Sequence, residues 1–243
     1  MILPDLTDYA ALRERFRWRI PDRYNIAVDV CDRWAAVEPG RPAIIEVSTD
    51  WQVTPVSFGW LREHSNRLAN ALRARGVDVD FRATGQTGIM IAGSGMPIDA
   101  VVSDFIAGAA EMLSPAAPAG HVDVIEGQGS LMHPAYGAVS LGLLQGSQPD
   151  VFVVCHEPGR TQILGHPGHA VPSIEAVIEA TVLMGRVTNP NIRCAGVSLN
   201  TGKLSPEAAQ AEIEAVAARV GLPAADPLRG GPAFERLLDA CLA

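Results

Sequence analysis

The sequence predicts an α/β protein with a mostly parallel sheet from about residue 79 to residue 229, preceded by a small α+β segment. Short apolar runs alternate with helical patterns from residue 79 onward, which is typical of a parallel sheet. Runs such as residues 151–155 are apolar at every position, as expected for strands covered on both faces. The helical stretches are also well delimited, since Ser173 and Ser205 can cap helix starts, Pro206 fits a first helical position and Gly221 can end the same helix.

The small segment precedes the alternating part. Residues 43–47 and 52–58 predict two short strands, the second an edge strand because of Pro55, and residues 57–75 predict an amphipathic helix that includes His64. The alternating part is then predicted to contain a strand at 87–91, a helix at 97–113, strands at 122–126 and 151–156, a helix at 174–186, a strand at 194–199 and a helix at 206–220.

The composition of the chain restricts its class and partners. With 243 residues, 48% of them hydrophobic, the chain can bury one good-sized core. A net charge of −8 argues against nucleic acid and against an anionic membrane as partners, and leaves a homo-oligomer open. The acidic N-terminus, the lack of an apolar run of roughly 18 residues and four scattered cysteines predict a cytoplasmic protein with reduced thiols.

Polar residues follow the predicted strands. Val122, Val124 and Ile125 form an apolar run that predicts a short core strand ending in Glu126, and such a strand end is where open parallel sheets bind ligands. Because the carboxyl ends of parallel strands share one edge, we expect the polar residues there to converge. They are Gly85, Gln86, Thr87 and Gly88; Glu126, Gln128, Ser130 and His133; His156, Glu157 and Arg160; and Asn200 with Thr201.

This set of side chains suits a small anionic substrate. Arg160 can clamp a carboxylate or phosphate through two hydrogen bonds, and Glu126 or His156 can transfer a proton. The alternative is structural, because ion-pair networks and helix caps also place polar groups at strand ends. His166, His169 and the Cys155–His156 pair lack four metal ligands at standard spacing, so a solvent-exposed loop without metal is expected.

No phosphate loop of standard form occurs in the sequence. Gly196 and Gly202-Lys203 are one residue too far apart, and Leu204 stands where a Ser or Thr would hold Mg²⁺. Gly93-Ser-Gly95 lacks the third glycine of a dinucleotide fingerprint, and no serine has the surroundings of a nucleophile elbow. We therefore expect neither ATP nor Mg²⁺ to bind.

Long motifs between residues 80 and 229 carry a family resemblance. They are Ala83-Thr-Gly-Gln-Thr-Gly-Ile-Met-Ile-Ala-Gly93, Asp123-Val-Ile-Glu-Gly-Gln-Gly-Ser130, Gly146-Ser-Gln-Pro-Asp150, His156-Glu-Pro-Gly-Arg160 and Ser198-Leu-Asn-Thr201. This part resembles the C-terminal domain of the D-glutamate N-acetyltransferase family, formerly a domain of unknown function. The resemblance implies a P-loop-NTPase-like fold of the dethiobiotin-synthetase kind and acetyl transfer from acetyl-CoA to an acidic D-amino acid. It implies functional roles for Gln86, Thr87, Glu126, Gln128, Ser130, His156, Glu157 and Arg160.

The beginning of the chain carries a different resemblance. Its motifs are Tyr24-Asn-Ile-Ala-Val-Asp-Val30, Pro39-Gly-Arg-Pro-Ala-Ile-Ile45, Val56-Ser-Phe-Gly-Trp-Leu-Arg-Glu63 and Asn66-Arg-Leu-Ala-Asn70. They are similar to the N-terminal start of AMP-forming acyl-CoA synthetases, without that family's catalytic motifs. We therefore expect a fusion of two domains, residues 1–76 and residues 77–243.

The resulting functional expectation is an acyltransferase that lacks its phosphate loop. Arg160 would hold the substrate carboxylate, and Glu126 or His156 would serve as the base. One alternative is a catalytically inactive or vestigial binding domain, and a second is a fragment of an acyl-CoA synthetase.

Overall fold

A computed structural model describes residues 31–47, 51–60, 75–86, 88–89 and 95–243, together with positions 10 and 13. The chain divides into two compact units, the first made of Met1–Leu68 and Met90–Ser94, the second of Ala69–Ile89 and Gly95–Ala243. The domain boundary expected between residues 76 and 77 stays a prediction. Within the described ranges, no helix is both long and apolar enough to cross a membrane.

The first unit contains a short helix and a hairpin-like pair of strands. Helix α1 spans Arg33–Val37, and strands β1, Pro42–Val47, and β2, Val53–Ser57, pair antiparallel. The two short strands predicted here are confirmed. Residues 58–60 are helical, but residues 61–74, which hold His64 and most of the helix predicted at 57–75, lie outside the described residues.

The second unit is an α/β arrangement with parallel strands, as the sequence predicts. Its elements are β3, Asp78–Arg82; two 3-10 turns, Ile98–Ala100 and Ser103–Phe105; α2, Ile106–Glu111; β4, His121–Ile125; α3, Gly137–Ser147; β5, Val151–His156; α4, Ile174–Gly185; β6, Arg193–Leu199; α5, Pro206–Val220; β7, Ala224–Ala225; and α6, Gly231–Leu242.

The strands of the second unit form two sheets in the part of the chain that is described. Strand β3 pairs with β4, and β5, β6 and β7 pair in that order. In the described part of the chain, the strand ends therefore lie on two sheets and not on the single edge that was expected. Strand β4 has one neighbour in this region and every residue of it is only half-buried, where the sequence predicted a core strand.

The main core of this unit lies on the three-stranded sheet. Val197 and Leu199 of β6 are almost fully buried against Ile174 of α4 and against Ile213 and Val216 of α5. Burying each such side chain contributes about 1.5–3 kcal/mol. The strands and helices predicted between residues 151 and 220 are all confirmed, because here apolar runs and helix caps agree.

The helix caps predicted in this region are also confirmed. Ser173 accepts a hydrogen bond from the backbone amide of Ala176, and Ser205 accepts one from the amide of Ala208. Gly221 ends α5 with φ of 66°, a conformation that glycine adopts without strain.

Two predicted elements before β4 are wrong. The strand predicted at 87–91 is contradicted by helical backbone at Gln86, Gly88 and Ile89; the strand is β3, a few residues earlier. A short apolar run does not distinguish strand from helix, because its periodicity cannot be read over so few residues. The single helix predicted at 97–113 is interrupted, since Val101 and Val102 have extended backbone between the two 3-10 turns.

Helices α3 and α6 were not predicted. Helix α3 contains three glycines, which usually indicate a loop. A Cβ at Gly142 would lie 3.0 Å from Cβ of Ile106, and one at Gly146 would lie 2.8 Å from the carbonyl carbon of Ala107. The glycines therefore let α3 pack directly on the backbone of α2, and this packing compensates for their low helix propensity.

Candidate functional site

The Glu126 side chain, at the carboxyl end of β4, is held by the segment that follows β3. Its Oε2 accepts hydrogen bonds from the backbone amides of Thr84 and Gly85, both at 2.9 Å. The Thr84 hydroxyl donates to the Glu126 carbonyl at 2.8 Å and accepts from Nε2 of Gln128 at 2.7 Å. Fully buried Thr84 thus connects the two strand ends. Thr84 was not predicted as a site residue, although it lies inside the motif at residues 83–93.

The neighbouring glycine is required by this arrangement. A Cβ at Gly88 would lie 2.6 Å from the carboxyl carbon of Glu126. The Gln86 side chain has a different partner: its Nε2 donates a hydrogen bond to Oδ2 of Asp99 at 3.1 Å. Thr87 lies outside the described residues. Backbone amides near a helix start can bind a substrate anion. Here they bind the carboxylate of the chain itself, so Glu126 positions the loop.

A second group of charges lies after β5 and β6. Lys203 donates to Oε1 of Glu157 at 2.6 Å, and Arg160 forms an ion pair with the other oxygen, Oε2. The hydrogen bond from Lys203 and the charge of Arg160 lower the pKa of Glu157. The Glu157 side chain is 14% exposed, against 83% for Lys203 and 41% for Arg160. Two cations therefore surround one carboxylate and leave one positive charge facing solvent.

Lys203 was not predicted as a site residue, because it belongs to the incomplete phosphate-loop pattern. The structure places Gly196 of that pattern inside β6, where a Cβ would lie 2.6 Å from Cδ1 of Leu237, so this glycine serves packing. Lys203 follows four residues after β6 and reaches the end of β5. Lys203 comes shortly after a strand end, as Asn200 does, and this position is the signal that could have predicted it.

His156 is the last residue of β5. Burial, and next the charge of Arg219, lower the pKa of His156, which favours a neutral imidazole. The backbone amide of Asn200 donates to the His156 carbonyl at 2.9 Å, and the Asn200 side chain accepts from the amide of Gly202 at 3.2 Å. His156 and Asn200 are thus neighbours through the backbone, beside the Glu157 group.

His133 lies in the loop after β4 and contacts the loop after β5. Its Nδ1 accepts from the amides of Ala135 at 3.1 Å and Tyr136 at 3.2 Å, so a neutral ring carries its proton on Nε2. The ring centroid is 4.9 Å from that of His166, which is 6.1 Å from that of His169. Ser130 makes a local turn, accepting from the amide of Met132 at 3.2 Å.

Most of the predicted site residues, together with Thr84 and Lys203, which were not predicted, fall into two groups. The first surrounds Glu126 and holds Thr84, Gly85, Gly88 and Gln128; the second surrounds Glu157 and holds Arg160, Lys203, His156 and Asn200. Among described residues, no hydrogen bond or ion pair joins the two groups. The ring contact between His133 and His166 connects the loops that follow β4 and β5.

Comparison with known proteins gives a consistent family. Residues 62–238 match the model of a domain of unknown function, DUF1611, described as its C-terminal P-loop domain. The chain is 51% identical over 164 residues to a D-glutamate N-acetyltransferase from Pseudoalteromonas sp, covering 68% of this chain and 49% of that protein. It is 46% identical over 172 residues to a D-glutamate N-acetyltransferase from Tritonibacter scottomollicae, covering 71% and 51%.

A solved structure is similar as well. The crystal structure of a DUF1611 family protein from Anabaena variabilis aligns with a TM-score of 0.67 and 35% identity, covering 75% of this chain and 53% of that one. The chain thus spans about half the length of the relatives it matches. The P-loop-like α/β fold class predicted from the sequence is confirmed by these matches.

The residues present do not fit the phosphate group of a P-loop nucleotide. The sequence contains one Gly-Lys pair, at Gly202-Lys203, and it lacks the spacing and the following hydroxyl of a phosphate loop. The amides of Thr84 and Gly85, which could bind an anion, are occupied by Glu126.

Proposed function

We propose, from the premise that this chain belongs to the DUF1611 family of P-loop domains, that it binds an acidic amino acid and takes part in the acetylation of its amine. The observation that carries this proposal is the 51% identity over 164 residues to a D-glutamate N-acetyltransferase. D-glutamate is accordingly the substrate to test first, with acetyl-CoA as the acetyl donor. The proposal concerns a chain that spans about half of that relative.

The cations beside Glu157 would bind the substrate carboxylate. Arg160 and Lys203 both contact Glu157, whose own carboxylate marks where an anion is stabilised. A planar guanidinium can hold two carboxylates side by side, so Arg160 can bind a substrate without leaving Glu157. This subsite accounts for an acidic substrate and does not distinguish the D from the L form.

His156 is the proposed base. Its lowered pKa keeps the imidazole neutral near neutral pH, so it can accept a proton from the substrate ammonium. The free amine would then attack the thioester carbonyl, the C–S bond would break, and CoA would leave as a thiolate that takes up a proton. Glu126, the other candidate base, is proposed instead to position the loop. Gly85, Gln86, Thr87, Gly88, Gln128, Ser130, His133 and Asn200 stay predicted binding residues.

The test is a CoA-release assay with acetyl-CoA and D-glutamate. Arg160→Gln and Glu126→Gln are compared with Arg236→Gln, which changes an exposed arginine of α6. Loss of activity in the first two with full activity in the third supports the proposal. If activity survives both changes, the proposed site is wrong. If the parent chain is inactive, this chain is not a transferase.

A second candidate function is a catalytically inactive binding domain. It is favoured by the engagement of both Glu126 and Arg160 by their own chain and by the missing phosphate loop. A ligand that binds only the folded state raises the melting temperature. This alternative predicts a thermal shift with D-glutamate, Arg160→Gln abolishing it, and no CoA release.

The beginning of the chain is proposed to have a separate origin. Residues 24–76 are proposed to derive from the start of an AMP-forming acyl-CoA synthetase that was fused to the second domain. The last part of this segment, residues 62–76, also lies within the family match. Because that family's catalytic motifs are missing, exchange of pyrophosphate into ATP is expected to be absent. A cytoplasmic location and a small-molecule partner, without nucleic acid, stay predictions.

A further inference from the structure

Four ionisable side chains share one face of the β3–β4 pair. The parallel register sets Asp78 opposite His121 and Asp80 opposite Asp123. Because side chains alternate along a strand, all four project from the same face. Glu126 follows the carboxyl end of β4, whereas this cluster occupies the first three residues of each strand. The cluster is therefore separate from the group around Glu126.

The orientation of His121 is fixed by one of these carboxylates. Its Nδ1 lies 2.9 Å from Oδ2 of Asp78. Its other nitrogen, Nε2, faces Oδ1 of Asp123 at 3.4 Å and Oδ2 of Asp80 at 4.0 Å. A histidine that donates one N–H to a carboxylate and directs its other nitrogen at further ligands is the usual arrangement at a protein metal centre.

The separations suit a small cation. The ligand atoms of Asp80, His121 and Asp123 all lie within 4.8 Å of one another. Bonds of about 2.0–2.1 Å in a tetrahedral site put ligand atoms roughly 3.4 Å apart. The distance of 3.4 Å from His121 to Asp123 matches this value, and that of 4.0 Å to Asp80 requires a small rotation of an exposed side chain.

The net charge of this cluster and the exposure of its side chains also favour a bound cation. Arg82 contacts Asp123 at 2.6 Å and Asp80 at 3.0 Å, so it already neutralises part of the cluster. The three carboxylates of Asp78, Asp80 and Asp123 outnumber the guanidinium of Arg82 and the imidazole of His121, so the cluster has an excess of negative charge that a divalent ion would offset. The His121 and Asp123 side chains are 10% and 13% exposed, while Asp80 is 57% exposed. The site is thus enclosed on the protein side and open to water at Asp80.

We propose that Asp80, His121 and Asp123 bind one divalent transition-metal ion of the Zn²⁺ class, with Asp78 orienting His121. An imidazole with two carboxylates favours Zn²⁺, Mn²⁺ or Co²⁺ over Mg²⁺, which prefers oxygen ligands. The ion links β3 to β4, and Arg82 competes with it for the carboxylates of Asp80 and Asp123. This inference does not depend on the transferase function.

The test is calorimetric titration of the full chain with Zn²⁺ and Mg²⁺. The expected result is one Zn²⁺ per chain, no Mg²⁺, loss of Zn²⁺ binding in Asp123→Asn and His121→Gln, and weaker binding by about 10–100-fold in Asp78→Asn. Arg82→Gln, which removes the competing cation, is expected to bind more tightly. Asp104→Asn, an exposed aspartate outside the cluster, is the matched control.

Other histidines and the cysteines could also take up Zn²⁺. The titration is therefore repeated in a His166→Asn, His169→Asn double variant, where binding should persist. The Co²⁺ derivative should show ligand-field absorption without thiolate charge transfer. If the Asp123 or His121 variant is unfolded by circular dichroism, the Nε2 chemical shift of His121 in the unmodified chain decides. No Zn²⁺ binding, an unshifted Nε2, or binding that survives in folded variants would overturn the proposal.

Discussion

The carboxylate of Glu126 occupies the space that a side chain at Gly88 would fill. A Cβ at that position would lie 2.6 Å from the carboxyl carbon of Glu126, whose Oε2 also accepts hydrogen bonds from Thr84 and Gly85. A glutamate after one strand thus organises the turn after its neighbour.

Gly88→Ala is expected to destabilise the chain by about 1–3 kcal/mol, because the methyl group displaces the Glu126 carboxylate from its amide partners. Urea unfolding measures this free energy. Gly108→Ala is the matched control, since a Cβ at Gly108 has no atom within 4 Å and alanine favours the helix. Equal stability of the two variants would contradict the contact.

Thr84→Val keeps the shape of a fully buried side chain and removes its hydroxyl. The Glu126 carbonyl and Nε2 of Gln128 lose their partner, so we expect a loss of about 1–3 kcal/mol in the free energy of unfolding. The double change Thr84→Val, Gln128→Leu should cost less than the two single changes added together. If the losses in the free energy of unfolding simply add up, the two side chains do not interact.

Gly146→Ala tests the packing of α3 on α2. A Cβ there would lie 2.8 Å from the carbonyl carbon of Ala107, and backbone cannot move aside cheaply. We expect destabilisation of at least about 1–3 kcal/mol by overpacking, despite the better helix propensity of alanine. A more stable variant in thermal unfolding would mean that the two helices are further apart.

Asp226 is expected to make stability depend on pH. Burial alone raises the pKa of Asp226, but hydrogen bonds from Thr201, Leu228 and Arg229 outweigh it and hold this pKa below its ordinary value. The stability that Asp226 contributes is therefore complete above the unfolded pKa of about 3.9 and is lost as the pH falls through the folded pKa.

Urea unfolding from pH 7 to pH 3 measures this dependence. Asp226→Asn removes the titrating group, so its stability should fall less steeply below about pH 4 than that of the parent chain. Asp226 is 2% exposed and the change also weakens its bond to Thr201, so the variant starts from a lower value at pH 7. If the free energy of unfolding depends on pH in the same way in both proteins, the protonation of Asp226 is not linked to folding.

If the chain acetylates D-glutamate, Lys203→Gln should raise KM more than it lowers kcat. Lys203 contacts Glu157 in the subsite proposed for the substrate carboxylate, and loss of one cation weakens ground-state and transition-state binding alike. His156→Gln should instead lower kcat. The acidic limb of the pH profile should lie below about 6.5, because the pKa of His156 is lowered. A changed kcat with unchanged KM in Lys203→Gln would contradict the carboxylate subsite.

Sequence patterns predicted the second half of the fold better than the first half of the same unit. Between residues 151 and 220, apolar runs, serine caps and Gly221 all agree with the strands and helices found. Around residues 87–147 they conflict: a short apolar run at 87–91 is helical where described, and a glycine-rich stretch at 137–147 is a helix. Local propensity misleads there because close packing decides the backbone.

By itself, the sequence determined the parallel α/β class and the positions of Glu126, His156, Glu157 and Arg160 at strand ends, because a strand's length and hydrophobicity are local properties. The tertiary structure decided which of these side chains meet. It paired Glu126 with Thr84 and Gly88, brought Lys203 to Glu157, and placed Asp80 beside His121 and Asp123. These contacts join residues far apart in the chain, and only strand pairing and register fix their distances.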